Sequence, residues 1–157
     1  MKKISLLVVA LSFAIILAET GFAGDNKHFK VAKIVIDQSY HHIGDNYAES
    51  FIVQEPEGEY WESSFRVRDS LLKNYKIAYI KFLCHSLYNA DLKVNGYRIE
   101  LDISHEGDIR QQYVNYAVRI NIDILHPGKN TIAFEANELD STQLDDIEFG
   151  ELEMWFQ

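Results

Sequence analysis

The stretch ADLKVNGYRIELDI, residues 90–103, decides the fold class of this protein. Between residues 97 and 103 every odd-numbered side chain is apolar and every even-numbered one is charged. Strict alternation predicts a strand with one face on a core and the other in water. Asn95-Gly96 separates this strand from the apolar-polar run 90–94, and both turn residues tolerate positive φ. The stretch therefore predicts an antiparallel hairpin with a two-residue turn.

Period-two alternation recurs along the chain, whereas no helical spacing after residue 23 lasts beyond a turn or two. Further strands are predicted at 29–37, 47–54, 59–68, 76–85, 113–124, 131–136 and 147–156, with a short helical turn at 69–73. In the last strand the apolar phase changes at Gly150, which predicts a β-bulge there. The pattern predicts an all-β chain: a single jelly-roll β-sandwich of about eight or nine antiparallel strands.

Residues 1–23 have the composition of a secretory signal peptide. Two lysines precede an apolar run at 4–18, and Gly21-Phe22-Ala23 offers small residues for cleavage after residue 23. The run is shorter than the about 20 apolar residues that a membrane-spanning helix needs. We expect a cleaved signal, one mature domain at 24–157 without a membrane span, and a periplasmic or secreted location.

The charge of the chain is strongly negative, with a formal value of -9 that becomes -10 once the signal peptide is removed. Nucleic acid and anionic membranes attract basic surfaces, so neither is expected as a partner. Cys84 is the single cysteine, which leaves the exported domain without an internal disulfide. Its place in the alternating run 76–85 predicts a buried side chain and not a reactive thiol.

Two motifs carry a family resemblance: Val94-Asn95-Gly96 in the hairpin, and the run Asp123-Ile-Leu-His-Pro-Gly-Lys-Asn130-Thr-Ile132 further on. This pair resembles the galactose-binding-domain-like jelly rolls, which include the sugar-binding domains of β-galactosidase-type glycoside hydrolases and many carbohydrate-binding modules. The final strand, from Asp145, is also similar to the last strand of such domains. Because the shared motifs form turns, the resemblance implies the fold more than a ligand.

Signatures of catalysis are missing from the sequence. It has no Gly-x-Ser-x-Gly elbow, no His-Glu-x-x-His helix and no phosphate-binding glycine loop. A glycoside hydrolase would need two carboxylates facing each other across a cleft, and their separation is not readable from sequence. We therefore expect a protein that is not an enzyme, while hydrolysis stays an open alternative.

Two clusters could hold a metal ion. Asp140, Asp145 and Asp146 crowd one loop, and the resemblance implies that a structural calcium can occupy jelly rolls of this kind. No EF-hand spacing accompanies them, so a solvated acidic loop is the favoured interpretation, and no cofactor is required. His41-His42 could bind a transition metal, but adjacent strand residues point to opposite faces. A plain loop is the favoured interpretation there.

If successive strands alternate in direction, the connections at 54–58, 85–89, 104–112 and 137–145 emerge at one end of the sandwich. Long loops on a rigid scaffold commonly carry binding sites. Aromatic rings beside amide and charged groups suit sugars, since the ring packs on pyranose C–H groups and the polar groups bond hydroxyls. The candidate ligand-binding residues are Tyr60, Trp61, Tyr88, Asn89, His105 and Arg110. For Tyr60 and Trp61, inward packing is an equal alternative.

These observations favour an exported, non-catalytic binding module for a glycan or envelope polysaccharide. The alternative is a protein-interaction or structural subunit of an envelope or secreted assembly that uses a sheet edge or face. An aromatic pocket among the long loops would favour the glycan, whereas a flat apolar patch would favour a protein partner.

Overall fold

A computed structural model describes residues 31–101, 112–138 and 143–157. Its elements are β1 (Ala32–Ile43), β2 (Tyr60–Val67), α1 (Asp69–Asn74), β3 (Ala78–His85), β4 (Ala90–Val94), β5 (Tyr97–Ile99), β6 (Val114–Ile120), a 3-10 turn (Ile122–Ile124), β7 (Gly128–Ala136) and β8 (Ile147–Phe156). The signal-peptide expectation at 1–23 lies outside the described residues. Within the described part, the helices are too short and too polar to cross a bilayer.

The eight strands of the described residues form two antiparallel four-stranded sheets. Sheet A has the order β1-β8-β3-β6 and sheet B the order β2-β7-β4-β5. Every strand pairing is antiparallel, and each chain connection except the β4–β5 hairpin crosses from one sheet to the other. The prediction of an all-β sandwich is confirmed. The short helix α1 matches the predicted helical turn, and 3-10 and α segments only connect strands.

The core lies between the inward faces of the two sheets. Phe149 of sheet A stacks on Phe134 of sheet B with ring centroids 4.0 Å apart, and Phe82 stacks on Tyr116 at 5.2 Å. Cys84 is buried beside them, as its alternating position predicted. Burial raises the pKa of the Cys84 thiol far above its ordinary value, so the group behaves as a small apolar side chain.

The two motifs of the resemblance meet at one end of the sandwich. Asn95 and Gly96 both have positive φ, which confirms the tight hairpin turn. The side-chain amide of Asn95 donates to Asn130 Oδ1 at 2.8 Å, and Asn95 Oδ1 accepts from the amide of Thr131 at 2.8 Å. Buried Asn130 also accepts from the amide of His126. Two turns that are distant in sequence are thus tied together by asparagine side chains.

The predicted bulge in β8 is confirmed. Lys81 pairs with Glu153 while Leu83 pairs with Gly150, so β8 carries one extra residue between these pairs. Glu151, directly after Gly150, has φ +51° and is exposed. The extra residue reverses the phase of β8, which lets both halves of the strand keep apolar side chains in the core.

Several sequence predictions are wrong in detail, and the strand predicted at 97–103 ends at Ile99. The segment 47–54 is not a strand, because its backbone amides bond to a side chain and to its own turns instead of a sheet neighbour. The strand predicted to reach Ile124 ends at Ile120, where Asn121 caps a 3-10 turn by accepting from the amide of Asp123. Tyr97, expected on the core face, is 61% exposed because it leaves the turn at the sheet edge.

Candidate functional site

Strand directions place the long connections together. Each odd-numbered strand runs toward one end of the sandwich, where β1 leads into 44–59, β3 into 86–89 and β7 into the segment after Ala136. β5 also ends there and β6 begins there. This long-loop end is the grouping that the sequence predicted, for the residues that the structure describes.

A cleft of about 760 Å³ opens at the long-loop end, between the β3–β4 loop and the edge strand β5. Its described lining consists of Tyr88, Asn89, Ala90, Arg98, Ile99, Glu100 and Leu101. We call it the Tyr88 cleft. The volume lies in the range of small-molecule sites, and the lining combines an aromatic ring with amide, guanidinium and carboxylate groups.

Buried Asp145 holds the first wall of the cleft in place. Its Oδ2 accepts from the amide of Tyr88 at 2.9 Å and from the amide of Asn89 at 2.6 Å. Burial raises the pKa of Asp145 above its ordinary value even though both amide hydrogen bonds oppose the rise, and the nearby charge of Asp146 adds to it. The side-chain amide of Asn89 donates to the carbonyl of Glu138 at 2.7 Å. The turn is therefore fixed before any ligand arrives.

The second wall depends on an ion pair across the hairpin. Arg98 Nη2 lies 2.6 Å from Asp91 Oδ1, which also accepts from the side-chain amide of Asn137 at 3.0 Å. The Arg98 side chain is 68% exposed, so most of its five N–H donors face solvent at the cleft. Arg98 is oriented by one carboxylate and keeps donors for another partner.

The structure separates the predicted ligand-binding residues. Tyr88 and Asn89 line the cleft, whereas Tyr60 and Trp61 lie on β2, the opposite edge of sheet B. Tyr60 is exposed and donates to Glu62 Oε2 at 2.7 Å. Trp61 packs inward, with its ring 5.1 Å from Phe149, which is the alternative that the sequence left open.

His105 and Arg110 lie outside the described residues. Arg98 and Glu100 were assigned by the sequence only to the solvent face of a strand. The signal that could have found Arg98 is its diagonal position across the hairpin from Asp91, since diagonal residues of opposite charge pair across antiparallel strands.

A second polar cluster lies on the outer face of sheet A, beneath the β1–β2 loop. Glu148 is fully buried there and accepts from the amides of Ile52 at 2.9 Å and Val53 at 2.7 Å. Tyr113 donates its hydroxyl to the same carboxylate, and burial together with this bond raises the pKa of Tyr113 well above its ordinary value. Since its carboxylate accepts hydrogen bonds from two backbone amides of the β1–β2 loop, Glu148 anchors this loop.

The histidine pair belongs to strand β1, so the loop interpretation is wrong, although its opposite-face geometry is confirmed. His41 points into the core, 4.7 Å from the Trp61 ring. His42 points outward and is fully buried under the loop, with Nδ1 3.0 Å from the Val53 carbonyl and Nε2 3.3 Å from Asp146 Oδ1.

The two described carboxylates of the predicted calcium cluster serve different turns. Asp145 binds the 88–89 turn, whereas Asp146 Oδ1 accepts from the amides of Asp45 at 3.0 Å and Asn46 at 2.9 Å. Asp140 lies outside the described residues. Among the side chains that are described, no group of three or more histidine, cysteine or acidic residues converges as metal ligands. The solvated acidic loop stays the sequence prediction, with calcium as its alternative.

Neither a protein-family model nor a curated protein matches the chain. Among solved structures, it is similar to the exo-β-1,3-galactanase of Phanerochaete chrysosporium, solved with β-1,3-galactotriose. The two share 17% identity at a TM-score of 0.39, over 74% of this chain and 28% of the galactanase chain. A likeness at this level does not assign an activity.

Proposed function

We propose that this protein is an exported, non-catalytic binding module that holds a glycan or envelope polysaccharide in the Tyr88 cleft. The observation that carries the proposal is the cleft itself, whose lining residues include an aromatic ring, an amide and a partly exposed guanidinium. A ring of this kind packs on pyranose C–H groups, and the polar groups bond hydroxyls. The rigid turn at Asp145 reduces the ordering that binding would cost.

We also propose that the β-sandwich is a jelly roll. The strand order β1-β8-β3-β6 facing β2-β7-β4-β5 describes an antiparallel ribbon rolled into two sheets. This supports a jelly roll of the galactose-binding-like type, in which the hairpin and Pro-Gly turn motifs carry the likeness. The ligand loops of the proposal then lie at the end opposite these two turns.

The arrangement of carboxylates supports binding without hydrolysis. Glycosidases act through two carboxyl groups that flank the scissile bond. Glu100 is the single carboxylate among the described lining residues of the cleft. Oδ2 of buried Asp145 and both oxygens of buried Glu148 accept from backbone amides, which suits anchoring. We therefore expect no release of reducing sugar when the protein is incubated with a glycan that it binds.

A glycan array and affinity electrophoresis against envelope polysaccharides test the proposal. Tyr88→Ala should lower affinity about tenfold, since a buried aromatic contact contributes on the order of 1.4 kcal/mol. Tyr60→Ala is the matched control, because Tyr60 is an exposed tyrosine at the opposite edge of sheet B. Failure to bind any glycan, or equal loss in both variants, would overturn the proposal.

The alternative is a protein-interaction or structural subunit of an envelope or secreted assembly. It is favoured by the β1–β2 loop, which holds Tyr47 and Ile52 at 53% and 62% exposure although Glu148 anchors its backbone. Exposed apolar side chains on a fixed loop suit a protein partner. A stoichiometric partner that copurifies with the protein and dissociates from Ile52→Asp, while Tyr88→Ala keeps it, would establish this function instead.

A further inference from the structure

Four side chains form a row across the outer face of sheet A. In register they are Lys33 on β1, Trp155 on β8, Tyr79 on β3 and Arg119 on β6. Neighbouring strands lie about 4.8 Å apart, so the row spans about 14 Å. We call it the cross-strand row. It places two aromatic rings between two cations, toward the end of the sandwich opposite the long loops.

The row faces away from the core because the alternate residues of the same strands are buried. Met154, Ala78 and Ile120 are at most 3% exposed, whereas Lys33 and Arg119 are exposed. Side chains alternate between the two faces of a strand, so the four members share the outer face. The row is therefore accessible to a ligand on the described part of the chain.

Two lysine ammonium groups lie over the ring of Trp155. The ammonium of Lys81, one row along on β3, is 4.1 Å from the centroid of Trp155, and that of Lys33 is 5.6 Å away. Glu153 accepts from Trp155 Nε1 at 2.7 Å and from Lys33 Nζ at 2.8 Å, which fixes the indole from its edge. Glu153 pairs with Lys33, while Lys81 lies over the Trp155 ring, so cations outnumber carboxylates around this ring.

The row leads into a second recess. A cleft of about 320 Å³ lies at its β6 end and is lined by Lys76, Arg119, Ile120, Asn121 and Ile122. Two cations, Lys76 and Arg119, thus line this cavity, and Arg119 is also a member of the row. This is a second place where an anionic group finds an opposite charge.

We propose that the cross-strand row and its recess bind an acidic polysaccharide. Carboxylates of the polymer pair with the lysine and arginine groups, and a sugar ring packs on Tyr79. An acidic polysaccharide carries its charges farther apart than the about 1.7 Å spacing of double-stranded DNA, so a few clustered cations around aromatic rings match it better on a protein whose net charge is -9. This surface is separate from the Tyr88 cleft and does not rest on it.

Calorimetric titration of the protein with polygalacturonate tests the inference, with the fully methyl-esterified polymer as the uncharged counterpart. We expect binding of the acidic form only, weakened as salt rises. The double variant Lys81→Gln/Arg119→Gln removes the cation over Trp155 and the cation shared by the row and the recess, and it should lower affinity about tenfold, since each surface ion pair makes a modest contribution. Arg66→Gln/Arg68→Gln is the matched control, because it removes two exposed charges away from the row.

The inference would be overturned by an absence of binding to polygalacturonate or by equal binding of the acidic and the esterified polymer. Equal losses of affinity in Lys81→Gln/Arg119→Gln and in the control Arg66→Gln/Arg68→Gln would also overturn it. Equal affinity for double-stranded DNA or phosphatidylserine vesicles would also overturn it in favour of a general cationic surface. Loss of uronate binding only in Tyr88→Ala would overturn the inference and assign the ligand to the cleft.

Discussion

Gly150 lies directly against the ring of Tyr40. A Cβ added at Gly150 would come within 2.8 Å of Tyr40 Cδ1 and 2.9 Å of the Ser39 carbonyl oxygen. Both contacts are closer than side chains tolerate, and one of them involves backbone. The close approach of β1 to the bulge in β8 therefore requires glycine at this position.

We expect Gly150→Ala to destabilise the protein by about 1–3 kcal/mol, because β1 must shift away from β8 or the Tyr40 ring must leave its position. Urea unfolding would measure the change. Combining it with Tyr40→Ala should recover part of the loss, since two of the three nearest atoms belong to that ring. Additive losses in the double variant would contradict this account.

Glu148→Gln should destabilise the protein by about 1–3 kcal/mol, because a buried amide group cannot accept from both loop amides and from Tyr113. Hydrogen exchange at Ile52 and Val53 should accelerate more than exchange in the strands. Glu59→Gln, at an exposed acid at the end of the same loop, is the control. Unchanged protection at these two amides would show that the loop is held by other contacts.

The pH dependence of stability should contain a contribution from Glu153. Burial alone would raise its pKa, but hydrogen bonds from Lys33 and Trp155 and the charges of Lys33 and Lys81 outweigh burial and hold the pKa below the ordinary 4.5. The unfolded state therefore binds more protons between the two values, and the stabilisation present above pH 4.5 is lost as pH falls through the lowered pKa.

Glu153→Gln tests this contribution. Because Lys33 is largely exposed, the wild type should exceed the variant by only about 0.5–1 kcal/mol at pH 7, and the difference should shrink in acid. Urea unfolding at several pH values would measure it. A difference that grows as pH falls would contradict the direction assigned here.

Calcium should not change the thermal stability of the protein, because the carboxylates of Asp145 and Asp146 accept hydrogen bonds from two separate turns. Thermal unfolding in excess calcium and in chelator should give the same midpoint, since a ligand that binds only the folded state raises it. A rise with calcium that disappears in Asp140→Asn would establish the metal site that the acidic loop suggested.

The local features of the fold were readable from the sequence because strand alternation and turn chemistry act over a few residues. The Asn95-Gly96 hairpin and the bulge at Gly150 follow from neighbouring residues alone. The prediction of a strand at 47–54 was wrong because it used only local composition. The segment has the composition of a strand, but a backbone hydrogen-bond partner of the segment is distant in the sequence. Glu148, nearly a hundred residues away, takes the place of a neighbouring strand.

The candidate sites were only partly readable. Tyr88 and Asn89 could be placed at the long-loop end because alternating strand directions fix where loops emerge. Trp61 could not be assigned to core or surface, since one ring at a strand start fits either side. Its inward position depends on Phe149 in the facing sheet.

The sequence by itself determined an all-β chain, its tight hairpin, its bulge and the buried state of Cys84, because each depends on residues close together along the chain. Tertiary structure alone decided that Asp145 fixes the Tyr88 cleft, that Glu148 anchors the β1–β2 loop, and that Lys33 and Arg119 flank one aromatic row. The alternation of apolar and polar residues predicts which face of a strand each side chain is on. It does not predict which residues of other strands lie beside it. Neighbours are set by the order and register of strands, which connect residues many positions apart.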